Sequence, residues 1–206
     1  MPTTLTRRHA LALIGATIIL ATPLSSAMAQ QGGSDADFIR RLAAKMTAIL
    51  NSSAPMVQKQ HQLLPLIDDY IDVSGIARFS LSHYWHAATP AQQQQFMTLF
   101  HRVLFNNILG KMGQFKGVAL DVEGTTPHGP GSSVVNTRIT RPGQPPLAAQ
   151  WVVSQVDGKQ KITDVIGEGV SLKITERGDY TSYLGRHGGS IAELLKAMER
   201  QAAHQS

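Results

Sequence analysis

The apolar residues of this 206-residue chain change their period near Gly113, and that change limits what it can fold into. Before it they recur every three to four residues, the spacing of one helix face; after it they alternate, the spacing of a strand with one wet face. Ser34 stands as N-cap to a helix carrying Phe38, Leu42, Met46 and Ile49, which "NSSAP" stops. A second helix from about Met56 carries Leu63, Leu64, Ile67, Tyr70 and Ile71, with Pro65 inside as an expected kink. A third covers "VSGIARFSLSHYW". "ATPAQQQQF" then opens a fourth, with Thr89 as N-cap, Pro90 in the first position and Gln92 in the third.

Beyond the switch, Val118, Leu120 and Val122 alternate with Ala119, Asp121 and Glu123. "TPHGPGSS", "RPGQPP" and "DGKQ" read as the turns that separate this strand from "SVVNTRIT", "LAAQWVVSQV" and "KITDVI". Short connections of this kind make an antiparallel meander. Two helical segments, at about 175–187 and 190–202 with Gly188 and Gly189 between them, close the chain. The expected class is α+β: a twisted four-stranded antiparallel sheet covered by about six helices.

Arg7 and Arg8, the apolar run Ala10–Ala21 and small residues at Ala27 and Ala29 form an export signal cleaved after Ala29. The arginine pair fits twin-arginine or general secretory export. The run falls short of the roughly 20 residues a membrane span needs. Residues 1–29 are therefore expected to be a leader and 30–206 a single periplasmic domain. The chain has no cysteine, so packing alone must hold an exported domain together. Its formal net charge of +5 is scattered, without a basic run interleaved with aromatics, which argues against nucleic-acid binding.

Chemistry-bearing residues are sparse. His83 and His86 have metal-pair spacing but lack a third ligand in sequence, and Asp68, Asp69 and Asp72 lie along a helix rather than in a calcium loop. "GEGVS" is neither a phosphate loop nor a nucleophile elbow. Asp164, among Ile162, Val165 and Ile166, is the one residue an isomerase-type mechanism would choose; the competing reading is a hydrogen-bonded structural carboxylate. No catalytic residue, metal site or cofactor is assigned.

Apolar side chains, by contrast, are in surplus. On the helix after Pro90, Phe96, Leu99, Phe100, Val103 and Leu104 make one stripe, while Phe105, Leu109 and Met112 lie rotated from it. In the third strand Ala149, Trp151 and Val153 point one way, Val152 and Val156 the other. Either both faces are buried or a cavity lies between sheet and helices.

The stretch "QWVVSQVDGKQKITDVIGEGVSLKITERGDYTSYLGRHGGSIAELLKAM" resembles the C-terminal half of the MlaC, or toluene-tolerance, family of periplasmic phospholipid-binding proteins. "DVSGIARFSLSHYWHAATPAQQQQFMTLFHRVL" is similar to that family's helical signature. The resemblance runs over about residues 35–202. Its most specific part is Asp164, then Glu168-Gly169-Val170-Ser171, then Thr175, with Trp85 and Thr89-Pro90 in support. Ser82 and Gln160 depart from the pattern, standing where a glycine and an aromatic are usual. The hopanoid-associated HpnM branch is similar as well.

The resemblance implies an NTF2-like lipid-binding cup, a monomer without enzyme activity, and a phospholipid or hopanoid ligand. It implies shuttling between an inner-membrane MCE-domain ABC transporter complex and an outer-membrane lipoprotein complex. Pattern and family layout together place Phe100, Leu104, Ile108, Trp151, Val153, Ile166, Val170 and Leu172 on the lipid site. By the same resemblance "GEGVS" is a turn in which Gly167 and Gly169 allow close backbone approach; helix 175–187, between Gly167/Gly169 and Gly188/Gly189, is either a hinged gate or simply bounded by glycines that terminate elements. The competing functions are the isomerase-type enzyme and a non-catalytic periplasmic assembly protein.

Overall fold

In the computed structural model, residues 33–110 and 117–204 are described. The expected leader, residues 1–29, and the Met112 and Gly113 positions at the change of period lie outside them. The elements are α1 (Asp35–Asn51), α2 (Met56–Tyr70), α3 (Val73–Leu81), α4 (Tyr84–Ala87), α5 (Pro90–Gly110), β1 (Ala119–Pro127), β2 (Ser132–Arg141), β3 (Gln144–Val156), β4 (Lys159–Gly167), β5 (Val170–Ser171), α6 (Leu172–Arg186) and α7 (Ile191–His204). The strands pair antiparallel in the order β1-β2-β3-β4-β5. The α+β meander expected from the sequence is present, extended by the two-residue β5.

Several helix starts follow from their caps. Ser34 Oγ accepts from Asp37 N at 3.2 Å. Thr89 and Gln92 form a reciprocal capping box, Gln92 N donating to Thr89 Oγ1 at 3.2 Å and Thr89 N to Gln92 Oε1 at 3.0 Å. Asp72 Oδ1 caps α3 through Gly75 N at 2.9 Å, and a Cβ at Gly75 would fall 1.9 Å from Asp72 Oδ2, so the cap requires glycine there.

Four expectations need correction. The third helix does not run through to Trp85: it breaks at Ser82, whose φ of 53° and ψ of −133° no helix can accommodate. The "RPGQPP" turn contracts to Pro142-Gly143, because β3 begins at Gln144. Pro145 and Pro146 are tolerated since they flank a register shift opposite Ile139 and Arg141 and extend beyond the residues that β4 pairs. Helix α6 starts at Leu172, where Ser171 Oγ accepts from Ile174 N. Finally, no atom lies within 4 Å of a Cβ built on Gly167 or Gly169, so close approach is not their role. Glu168 and Gly169, at φ 52° and 80°, instead make the two-residue hairpin turn between β4 and β5, which needs positive φ at both centres.

Two hydrophobic cores result. A helical core gathers Ile76, Ala77 and Leu81 of α3, Phe96, Leu99 and Phe100 of α5, Tyr180 and Leu184 of α6, and Leu194, Leu195 and Met198 of α7. A sheet-side core gathers Phe38, Ile39, Leu42 and Leu50 of α1, Leu63, Leu66 and Tyr70 of α2, and Val135, Val153 and Ile162 of the sheet. Helix α5 serves both, as its two stripes suggested: Leu104 packs on the helical core and Leu109 on the sheet-side one. At the seam Asp72 N donates to Ile162 O at 2.9 Å, and Lys161 Nζ donates to Asp68 O and Asp69 O at the end of α2.

Asp164 joins β4 to α6. Its carboxylate, 6% exposed, accepts from Val165 N at 2.8 Å, Lys173 N at 3.0 Å and Ser171 Oγ at 2.5 Å. Replacing it with alanine strands three donors, and Asp164→Ala should lower unfolding free energy by about 3 kcal/mol in urea titration. Ser82→Gly should raise it by about 1 kcal/mol in the same assay, because glycine adopts the positive φ without strain.

Candidate functional site

The sheet face opposite α1 is set by strand register. Ser133, Val135, Thr137 and Ile139 of β2 pair with Val153, Trp151, Ala149 and Leu147 of β3, and Trp151 and Val153 pair with Val165 and Ile162 of β4. These residues share one face. Around its buried centre lies a ring of half-buried apolar side chains packed on the sheet-side core: Leu120 and Val122 of β1, Ile139, Trp151 and Val165 of the other strands, Met46 and Ile49 of α1, and Leu109 of α5.

Its central polar element is satisfied internally. Thr137, 1% exposed, donates from Oγ1 to Ala149 O at 2.9 Å and accepts from Trp151 Nε1 at 2.8 Å. This locks the indole against the sheet and leaves its apolar surface toward the ring. The wall above is α1, about 25 Å long for its 17 residues. Polar contacts pin both of its ends. Asp35 accepts from Ser133 Oγ at 2.6 Å and Gln160 Nε2 at 2.7 Å; Asn51 accepts from Gly117 N at 2.8 Å and donates to Val118 O at 3.3 Å. Gln160 is thus one of the pins.

Of the eight residues the sequence nominated, the structure brings Trp151 and Val153 together on this face, and Val153 is fully buried at its centre. Phe100 is buried in the helical core, with Leu104 packed on it, and Ile108 is half-buried near the end of α5. Ile166 pairs with Gln150 and so lies on the opposite face of the sheet. Val170 and Leu172 are exposed, at 61% and 42%. Leu120, Val122, Ile139 and Val165, which line this face, are not among the eight. Alternation had marked Leu120 and Val122 as one-faced, but counting from Ile162 it assigns Ile166 to the inner face. A register shift between Val152 and Val153 leaves Thr163 unpaired and turns Val165 inward instead.

The polar candidates do structural work. Asp68 pairs with His101 Nε2 at 2.7 Å, Asp72 caps α3, and the His83 ring lies on Tyr84 at 4.0 Å. No group of three metal-ligating side chains occurs among the described residues. In the helical core, burial raises the pKa of Glu176, with Asp179 adding to the effect, and burial likewise raises that of Tyr180, which contacts Phe96 and Phe100. A cleft of ≈740 Å³ between α2, α3, α5 and the β3–β4 turn has a mixed lining, with Ile71, Val73, Met97 and Val156 beside the charged or polar Asp68, Asp72, Arg78, His101, Lys159 and Lys161.

The geometry is that of an apolar sheet face under a pinned helix. Among solved structures, the phospholipid-binding protein from Ralstonia solanacearum, determined in complex with a phospholipid, has the same fold. The TM-score is 0.72 at 18% identity, over 84% of this chain and 99% of that one. The family model described as MlaC protein matches residues 40–200, which takes in α1 from its second turn, the whole sheet, and Asp164 with its turn. The chain belongs to the MlaC family.

Proposed function

We propose that this protein is a periplasmic lipid carrier that holds the acyl chains of a phospholipid between the inner face of the sheet and helix α1. The observation that carries the reading is the half-buried apolar ring around Trp151, a surface too apolar to be left to water and not fully covered by the protein's own side chains. The phospholipid-bound Ralstonia solanacearum protein, with its similar fold, supports that choice of cargo. An acyl chain of about 15 Å fits beneath a helix of about 25 Å. At about 0.8 kcal/mol per buried methylene, one long chain contributes on the order of 10 kcal/mol before ordering costs. Headgroup contacts need supply little.

An enzyme reading fares worse, because Asp164, the residue it would use as a base, already accepts hydrogen bonds from Val165 N, Ser171 Oγ and Lys173 N. Family membership supports an inner-membrane MCE-domain ABC transporter complex and an outer-membrane lipoprotein complex as the donors and acceptors of the cargo.

The two tryptophans make a direct test possible, since Trp151 lies in the ring and Trp85 packs on the helical core. A phospholipid brominated along its acyl chains should quench fluorescence in Trp85→Phe, where Trp151 remains, and leave Trp151→Phe unquenched. Equal quenching of both variants would sink the reading. A second expectation separates site from core. Leu120→Trp, on the ring, should reduce lipid co-purified in native mass spectrometry with little change in melting temperature. Val153→Trp, in the fully packed centre, should instead destabilise the fold by about 1–3 kcal/mol through overpacking.

A further inference from the structure

Two arginines lie on β2, and their surroundings are opposite. Arg138, on the face away from the apolar ring, is exposed and donates from Nε to Glu123 Oε1 at 2.6 Å. Arg141 is half-buried, and its Nε is shut off from water without a hydrogen-bond partner. No other buried side-chain nitrogen or oxygen among the described residues is left so, and no described residue bonds any other part of this guanidinium. A buried donor without an acceptor is costly, and native folds rarely keep one unless something outside the chain fills it.

The place of Arg141 says what could. Ile139, two residues earlier, belongs to the apolar ring, and the period of two along β2 puts Arg141 on the same inner face. The pairing of Ala119 with Thr140 brings Val118, a member of the sheet-side core, beside Arg141. Val118 O accepts from Asn51 at 3.3 Å, so Arg141 sits under the end of α1, at one margin of the acyl-chain site. The opposite margin is acidic. There Asp35 accepts from Ser133 Oγ, and Asp37 adds a second carboxylate in the first turn of α1. Ser133 and Arg141 are eight residues apart on one strand, roughly 26 Å. An acyl chain of about 15 Å whose headgroup lies at Arg141 therefore ends short of Asp35. A phosphate at the Asp35 end would face carboxylates; at the other end it meets an unfilled guanidinium, whose N–H fork matches phosphate oxygens.

We infer that Arg141 binds the phosphodiester of the cargo lipid and sets which way the lipid lies, with its head at the end of β2 and its chains toward the start. The inference rests on the carrier reading and adds a headgroup requirement to it: a lipid carrying a phosphate is preferred over one whose polar end is uncharged. The chains supply most of the affinity, and Arg141 selects.

The test titrates lipid-free protein, in the Trp85→Phe background, with phosphatidylglycerol brominated on its acyl chains and with diacylglycerol bearing the same chains, reading affinity from quenching of Trp151. With Arg141 in place the phospholipid should bind at least about tenfold tighter than the diacylglycerol. Arg141→Gln should weaken the phospholipid about tenfold and leave the diacylglycerol unchanged, Arg141→Lys should recover part of the loss, and Arg138→Gln should alter neither. Because Arg141→Gln strands no partner, the lipid-free melting temperature should not fall, as it would if the arginine only held the fold together. Indifference of the phospholipid to Arg141→Gln, or an equal loss for both lipids, would overturn the inference. So would binding of inorganic phosphate that Arg141→Gln abolishes while phospholipid affinity is kept, which would make this a free-phosphate site. Failure of both lipids to quench Trp151 defeats the carrier reading and the Arg141 contact with it, whereas tight and equal binding of both defeats the Arg141 contact alone.

Discussion

Asp164 is the interaction on which the rest of the structure depends. A carboxylate this buried is costly unless its oxygens are filled, and three donors fill them, all supplied within nine residues by β4, β5 and the start of α6. The Glu168-Gly169 turn is what brings Ser171 back alongside β4, so the hairpin, the cap and the carboxylate form one device. Thr175 Oγ1 extends it by donating to Ser171 O at 2.9 Å. The residues that most strongly mark the family are therefore architectural: they fix where α6 leaves the sheet.

Once α6 is aimed, the two cores follow. Tyr180 and Leu184 reach α3, α5 and α7 and close a helical core that needs nothing from the sheet face. The sheet must then cover its inner face with α1, α2 and the far end of α5, and these do not suffice: Trp151, Leu120, Val122 and Val165 remain half-buried. A densely packed core beside an incompletely covered one is how a small cysteine-free domain can be stable and still keep apolar surface for a ligand.

Much of this was legible in the sequence because it is local. The Thr89–Gln92 capping box, the Asp157-Gly158 turn and the alternation of β1 depend on residues within a few positions of each other. The two stripes of α5 also foretold a helix shared by two cores. What stayed hidden was non-local. A single unpaired residue at Thr163 exchanges the faces of Val165 and Ile166, and alternation cannot show it. Ser82 reads as a helix residue until its backbone is seen at φ 53°. The nominated site residues scattered for the same reason, since apolarity marks a residue as interior without saying which of two interiors it joins.

The same contrast sets what holds each of the two helices in place. Helix α6 is held at its start by the Asp164 device and along its length by the helical core. Its glycine end is a terminator, with Gly188 at φ 60° and Gly189 N donating to Leu184 O at 2.8 Å in a Schellman arrangement. Moving it would break a buried charged network and expose packed aromatics. Helix α1 is held at its ends by side-chain hydrogen bonds near the surface, each contributing about 1 kcal/mol net. Between those pins it rests on apolar surface that a lipid chain would cover in its place. Displacing α1 would uncover Phe38, Ile39, Leu42 and Leu50 of the sheet-side core, while displacing α6 would empty a filled carboxylate and uncover Tyr180 and Leu184, so each helix is held by both polar ends and a packed face.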